Sequence, residues 1–202
     1  MSWSAAQLRR RRYEALVSTH LDALLRSAHG LLREPHDAED LVQEVFVRAY
    51  KNLDRIRDEA GIRAWLYRIL RNAYIDRLRR MARAPTLVQW EDAEAVAELP
   101  PLPIHASAEA AADWEALCER EVVEAMNALP EELRTAFLFH ALGGLSYHEV
   151  AVAMDCPLGT VMSRVHRARA HLREGLAAYA VERGIVRKPA ATGENESEAR
   201  HG

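Results

Sequence analysis

The sequence predicts an all-α protein made of two small helical domains joined by a flexible linker. Three observations carry this. Ala, Leu, Arg and Glu dominate the 202 residues, glycine is sparse and β-branched runs are few, a composition that favours helix over strand. Apolar residues recur at three- and four-residue spacing through both halves of the chain. Between the halves, Pro100, Pro101 and Pro103 interrupt that pattern among acids and alanines, as a connecting segment does. The expected division is residues 1–84, a linker over 85–109, a second domain over 110–185, and a polar, aperiodic tail over 186–202 that reads as disordered.

The elements follow in order. Residues 13–29 read as a first helix ended by Gly30 or shortly after. Asp37, just after Pro35, is expected to cap the second. There Ala38, Leu41, Val42, Val45, Phe46, Ala49 and Tyr50 recur at three and four, a strong amphipathic signal. Asp37, Glu39, Asp40 and Glu44 crowd its beginning, where the helix dipole favours negative charge. Residues 54–61 read as a charged loop. A third helix is expected over 62–83, with Leu66, Ile69, Leu70, Ala73, Tyr74, Leu78 and Met81 on its core side and Pro85 as its stop. Helical pattern resumes near Ala110 and runs to Leu129. Pro130 suits position N1 of the next helix, and Gly143-Gly144 suits its end.

Residues 145–173, LSYHEVAVAMDCPLGTVMSRVHRARAHLR, read as a helix-turn-helix. Ser146 and Glu149 form an S-x-x-E capping box. Asp155 to Gly159 break the first helix, and Thr160 stands where an N-cap belongs. Val161, Val165, Ala168, Leu172 and Leu176 then form one apolar stripe. Ser163, His166, Arg167 and Ala170 project from the opposite face, near the end of the helix that reaches base edges in such motifs. No acid occurs from Thr160 to Arg173. A zinc-protease reading of His148-Glu149 fails, because position 152 is Val and the second ligand is missing.

The net charge of −3 conceals segregation. Residues 63–83 hold seven arginines and one acid, Asp76, whereas residues 91–124 hold ten acids and one base, Arg120. Two basic stretches flanking an acidic one point to two separate nucleic-acid contacts. On the third helix, Arg68, Asn72, Ile75 and Arg79 form one stripe opposite the core, flanked by Arg63, Arg71, Arg77 and Arg80. Trp65, Tyr67 and Tyr74 interleave with them; aromatics beside arginines suit opened nucleic acid, though aromatics at helical spacing equally suit a core. The two cysteines, Cys118 and Cys156, make neither a disulfide framework nor a metal site. No apolar run approaches a membrane span and no signal peptide is expected, so the expectation is a cytoplasmic protein without membrane insertion, metal or cofactor. A Gly-rich phosphate loop, a nucleophile elbow and metal-ligand spacing are all missing from the sequence, which argues against an enzyme.

Together the motifs DAEDLVQEVFVRAY (37–50), AWLYRILRNAYIDRLRR (64–80) and the helix-turn-helix resemble the extracytoplasmic-function (ECF) group of bacterial RNA polymerase sigma factors, in the sigma-70 family. The resemblance implies that residues 1–84 are region 2 and residues 110–185 region 4. It implies partners: core RNA polymerase, met through the β′ clamp and the β flap, and promoter DNA. Polymerase contacts are implied at Asp37, Asp40, Gln43, Glu44 and Val47. Recognition and melting of the −10 element are implied for Arg57, Trp65, Arg68, Asn72, Ile75, Arg79 and Arg80, and −35 duplex readout for Ser146, Tyr147, Thr160, Ser163, Arg164, His166 and Arg167. ILRNAYIDRLRR, GTVMSRVHRARAHLR and AYAVERGIV are similar to the actinobacterial thiol-stress branch, the sigma-R/sigma-H type, which implies a small zinc-binding, redox-sensing anti-sigma protein. Such a partner is expected to wedge between the two modules. The competing reading is a stand-alone helix-turn-helix regulator, which accounts for the C-terminal module alone.

Overall fold

The computed structural model describes residues 4–32, 34–55, 61–83 and 120–186. Every regular element among them is helical: α1 (Ala5–Leu31), α2 (Pro35–Lys51), a 3-10 turn (Leu53–Arg55), α3 (Ile62–Ala82), α4 (Arg120–Ala128), α5 (Glu131–Ala141), α6 (Tyr147–Met154), α7 (Leu158–Gly175) and α8 (Ala177–Glu182). Arg57, Cys118, the expected linker and residues 187–202 of the tail lie outside the described residues, as does the start of the pattern expected from Ala110.

α1 begins at Ala5 rather than at Tyr13. Ser4 and Gln7 make a reciprocal capping box: Gln7 N–H donates to Ser4 Oγ at 3.2 Å, and Ser4 N–H to Gln7 Oε1 at 2.8 Å. This satisfies two of the donors that a helix start leaves open. α1 ends at Leu31, one residue past Gly30 and within the expected bounds, so Gly30 lies in its last turn. A Cβ there would stand 2.5 Å from Leu138 Cδ2, so the glycine lets α5 approach. α2 is capped at Glu34, with Pro35 in its first turn; Asp37 is therefore helical rather than the cap. The predicted apolar face of α2 is buried, from Ala38 and Leu41 through Phe46 and Ala49. α3 buries Leu66, Leu70, Ala73 and Tyr74 as expected, and also Tyr67. Met81, expected on the core side, is 71% exposed; it lies in the last turn, past Leu78, which still packs on the core.

In the second half, Pro130 is the cap of α5 rather than its first residue. α6 carries the predicted Ser146–Glu149 capping box and ends at Asp155, whose φ of 50° and ψ of 54° are left-handed. α7 starts at Leu158 with Pro157 as its cap, so Thr160 sits within the first turn and does not cap it. The extended backbone of Pro157 (φ −59°, ψ 146°) already supplies the entry geometry that a cap requires. Val161, Val165 and Ala168 are fully buried, and Leu172 packs partly against the same core.

The two halves share one apolar cluster. α1, α2 and α3 pack on one another, α7 packs on α5 and α6, and α3 runs along α6 while α1 touches α5. A partner entering between the modules, as the sequence reading expects, would first have to part α3 from α6.

Candidate nucleic-acid interface

α3 presents Arg68, Asn72, Arg79 and Arg80 to solvent, with Trp65 and Ile75 half-buried against the core. Burial of Leu66, Leu70, Ala73 and Tyr74 on the other faces fixes this orientation. Arg68 and Asn72 make no side-chain hydrogen bond or ion pair among the described residues. Arg79 lies 3.8 Å from Asp76, and Arg80 Nε donates to the Asp76 carbonyl at 3.4 Å. The stripe predicted from spacing is thus one surface, with two of its polar groups unengaged.

α7 presents Ser163, His166 and Arg167, all exposed. Ser163 Oγ donates to the Thr160 carbonyl at 2.9 Å, while Thr160 itself is half-buried. The other predicted duplex residues are engaged within the fold. Ser146 Oγ donates to Glu149 at 2.7 Å. Tyr147 stacks on His140, with ring centroids 4.5 Å apart. Arg164, only 15% exposed, pairs with Glu132 and reaches Cys156 Sγ at 3.5 Å. Burial lowers its pKa, and Arg71 and Arg167 nearby lower it further. Basic residues of α3 and α7 therefore converge at this corner. Burial pushes the Cys156 thiol up, which suits a packed side chain better than a reactive thiolate.

On α2, Asp40 and Gln43 are exposed and Glu44 is half-buried beside Arg48, with which it pairs. Asp37 is held by Arg77 of α3. Val47 is 8% exposed, so it offers a partner little area. Of the five residues that the resemblance assigns to polymerase contact, Asp40 and Gln43 are exposed and have no side-chain partner among the described residues.

Sequence reasoning missed the residues that join the two halves. Arg63 donates to both oxygens of Glu149, at 2.9 and 2.8 Å. Arg134 donates to Tyr74 Oη at 2.9 Å. The Tyr67 ring meets Phe139 edge-on, with centroids 4.8 Å apart, and covers Gly143, where a Cβ would stand 2.6 Å from the Tyr67 hydroxyl. That hydroxyl donates to the Ala23 carbonyl at 2.9 Å, and burial pushes its pKa up to about 12. No periodicity relates residues so far apart. Among the described residues, no three His, Cys, Asp or Glu side chains gather as a metal site would need, and no helix is long and apolar enough to cross a membrane.

Both halves of the chain match known families. Residues 16–84 match the family Sigma-70 region 2, and residues 119–172 match Sigma-70, region 4. The chain is 35% identical over 172 residues to the ECF RNA polymerase sigma factor SigE of Mycolicibacterium smegmatis; the match covers 84% of this chain and 63% of that protein, less than two thirds of its length. It is 34% identical to the RNA polymerase sigma-H factor of Pseudomonas aeruginosa, over 83% of this chain and 87% of that one. It is 36% identical to the ECF RNA polymerase sigma-E factor of Escherichia coli, over 66% and 70%. Among solved structures, the sigma factor RpoE of Bartonella quintana, determined in complex with the anti-sigma factor NepR, matches with a TM-score of 0.61 and 26% identity, over 82% of this chain and 96% of that one. CnrH, determined with the cytosolic domain of CnrY, gives a TM-score of 0.56 and 26% identity, over 82% and 88%.

Proposed function

The chain belongs to the ECF sigma factors of the sigma-70 family, and from that premise we propose how its surfaces divide the work of promoter-specific initiation. It is a binding subunit with no catalytic site of its own, acting in the cytoplasm on core RNA polymerase and promoter DNA. Residues 1–84 form region 2. There Asp40 and Gln43 of α2, supported by Asp37, Glu44 and Val47, meet the polymerase clamp. The α3 stripe of Arg68, Asn72, Arg79 and Arg80, with Trp65, Ile75 and Arg57, captures the opened −10 element. Residues 110–185 form region 4, where Ser163, His166 and Arg167 read the −35 duplex in the major groove. Ser146, Tyr147, Thr160 and Arg164 position that helix or contact phosphates, since their side chains are engaged or half-buried.

One observation carries the reading: two exposed basic surfaces lie on separate helices, one in each matched region. Extruding a base costs a few kcal/mol of unstacking, and a helix that offers unengaged Arg68 and Asn72 beside the half-buried Trp65 is equipped to offset that. A stand-alone helix-turn-helix regulator has no use for the first surface. The test is reconstitution with core polymerase on promoter DNA. Promoter-specific transcripts are expected; duplex binding without them identifies a regulator instead.

Control by an anti-sigma protein is part of the proposal, supported by the similarity to the sigma factor RpoE of Bartonella quintana, determined in complex with the anti-sigma factor NepR. The thiol-stress resemblance supports a redox-sensing partner. The raised thiol pKa of Cys156 supports placing that sensor in the partner rather than at Cys156.

A further inference from the structure

We propose that Arg9 is a positioning residue for −10 recognition: from the start of α1 it fixes the 3-10 turn at Leu53–Arg55, out of which the chain runs toward Arg57. The inference rests on the sigma-factor reading above, in which Arg57 belongs to the −10 surface. Arg9 opens the run Arg9 to Arg12. Its neighbour Arg10 pairs within its own helix, with Glu14 at 2.9 Å. Arg9 instead crosses to the end of α2. Its Nη2 donates to the Tyr50 carbonyl at 3.0 Å, and its guanidinium carbon stands 4.6 Å from the centre of the Tyr50 ring. Nη1 lies 3.5 Å from an Asp54 carboxylate oxygen. A planar guanidinium holds a carbonyl, a ring face and a carboxylate at once, which a compact ammonium does not.

Each contact has a local reason. Tyr50 lies in the last turn of α2, where carbonyls lack helical partners and the dipole favours a cation. Its ring is also met edge-on by the buried Tyr13, with centroids 5.1 Å apart. Leu53 is fully buried and seats the turn; Arg9 then holds Asp54, one residue on. Arg57 follows Asp54 by three residues, and three residues span at most about 11 Å even when extended. Where Asp54 is held therefore limits where Arg57 can reach. Stability alone does not explain the arrangement. Arg9 Nε is buried without a hydrogen-bond partner among the described residues, a cost that a purely stabilising contact would avoid. The Asp54 side chain is 71% exposed, and a pair so solvated adds little to stability. What it adds is direction, because it ties an exposed turn to a long helix.

Two variants of the full-length chain, assembled with core polymerase, test the role of Arg9. Arg9→Met keeps an unbranched stem and removes the fork. Asp54→Asn removes only the charge of the exposed partner. Transcript yield is compared between the promoter and versions in which each base pair of the −10 element is substituted in turn; the ratio measures −10 discrimination. It should fall roughly three- to tenfold in Arg9→Met, the scale of a partly exposed cation–π contact and ion pair lost together, and by less in Asp54→Asn. Affinity for core polymerase and for a −35 duplex should stay at the wild-type values. In an Arg57→Ala background, Arg9→Met should lower discrimination no further, because no Arg57 is left to position. A merely structural Arg9 lowers the melting temperature and weakens every promoter by one factor; that unchanged ratio overturns the proposal. So does a further loss in the Arg57→Ala background. If Arg9→Met loses helix content by circular dichroism, Asp54→Asn decides: unchanged discrimination there overturns the proposal and leaves the sigma-factor reading intact. Wild-type discrimination in Arg57→Ala alone removes Arg57 from the −10 surface, and the proposal with it. A wild type that gives no promoter-specific transcript at saturating concentration sinks the sigma-factor reading itself.

Discussion

Arg63 and Glu149, 86 residues apart in the chain, meet through two hydrogen bonds of 2.9 and 2.8 Å. Glu149 has a second task at the same time. Its Oε2 also accepts from the backbone N–H of Ser146 at 2.8 Å and from Ser146 Oγ at 2.7 Å, closing the cap of α6. One carboxylate thus starts the first helix of the DNA-reading motif and ties it to the N-terminus of α3. The Arg63 hydrogen bonds are the largest cause of its depressed pKa, from 4.5 to about 2.

That shift predicts a pH dependence. A carboxyl whose pKa is lower in the fold than in the unfolded chain stabilises fully above the unfolded value. The contribution is lost as pH falls through the folded value. For Glu149 the window runs from about 4.5 down to about 2. Urea unfolding measured at several pH values should show wild type losing more stability across this window than Glu149→Gln, which has no carboxyl to protonate there. Parallel curves for the two proteins would show that Glu149 is not held as its contacts indicate.

Duplex readout makes a separate prediction. Arg167 is exposed on α7 beside Ser163 and His166. Arg167→Ala should weaken binding to a −35 duplex by about 1–3 kcal/mol if the guanidinium makes a bidentate base contact. The loss should be much smaller on a scrambled duplex. Equal losses on both would make Arg167 a phosphate contact. Arg164→Ala should behave differently, because Arg164 is tied to Glu132. It should lower the thermal stability of the helix-turn-helix as well as its affinity.

The helices and the outward faces of α3 and α7 could be read from the sequence because both follow from local periodicity and capping. Leu41, Leu66, Val161 and Val165 had to face inward, so Asn72, Ser163 and His166 had to face out. What could not be read was which surface covers which. Periodicity says that Tyr67 lies near the buried side of α3 but not that Phe139 and Gly143 lie over it. Gly30 marks the end of α1 to within one residue, but nothing in the local pattern tells that its missing Cβ also serves an approach by Leu138, a partner 108 positions away (138 − 30). The start of α1 at Ala5 differs from the expected Tyr13 for another reason. Arg9 to Arg12 hide the amphipathic pattern, while the Ser4–Gln7 box that begins the helix is plain in the sequence. Residue type favours Asp37 and Thr160 as caps, but Pro35 and Pro157 fix the entry geometry upstream of them.

Melting can be tested apart from binding. Asn72 is exposed on α3 without a side-chain partner among the described residues, so Asn72→Ala should leave the fold and association with core polymerase unchanged. Open-complex formation should fall, read by permanganate reactivity or a fluorescent base in the −10 element. Normal melting in this variant would remove Asn72 from the −10 surface.

Polymerase docking is best tested at Asp40, and the structure gives the reason. Asp37 is held by Arg77, Glu44 by Arg48, and Val47 is buried. Reversing charge at Asp37 or Glu44 breaks an internal pair, and truncating Val47 leaves a cavity whose cost falls on the fold. Loss of binding in any of those three confounds docking with stability. Asp40 is exposed and has no side-chain partner among the described residues, so Asp40→Arg should weaken association with core polymerase while binding of the −35 duplex stays unchanged. Asp40 lies in the second turn of α2, past the first turn where the helix dipole acts most, and Asp40→Asn serves as the companion. It gives up the charge without reversing it and should fall between wild type and Asp40→Arg in affinity. Unaltered polymerase binding in Asp40→Arg, with α2 intact by circular dichroism, would move the docking surface off this face of α2.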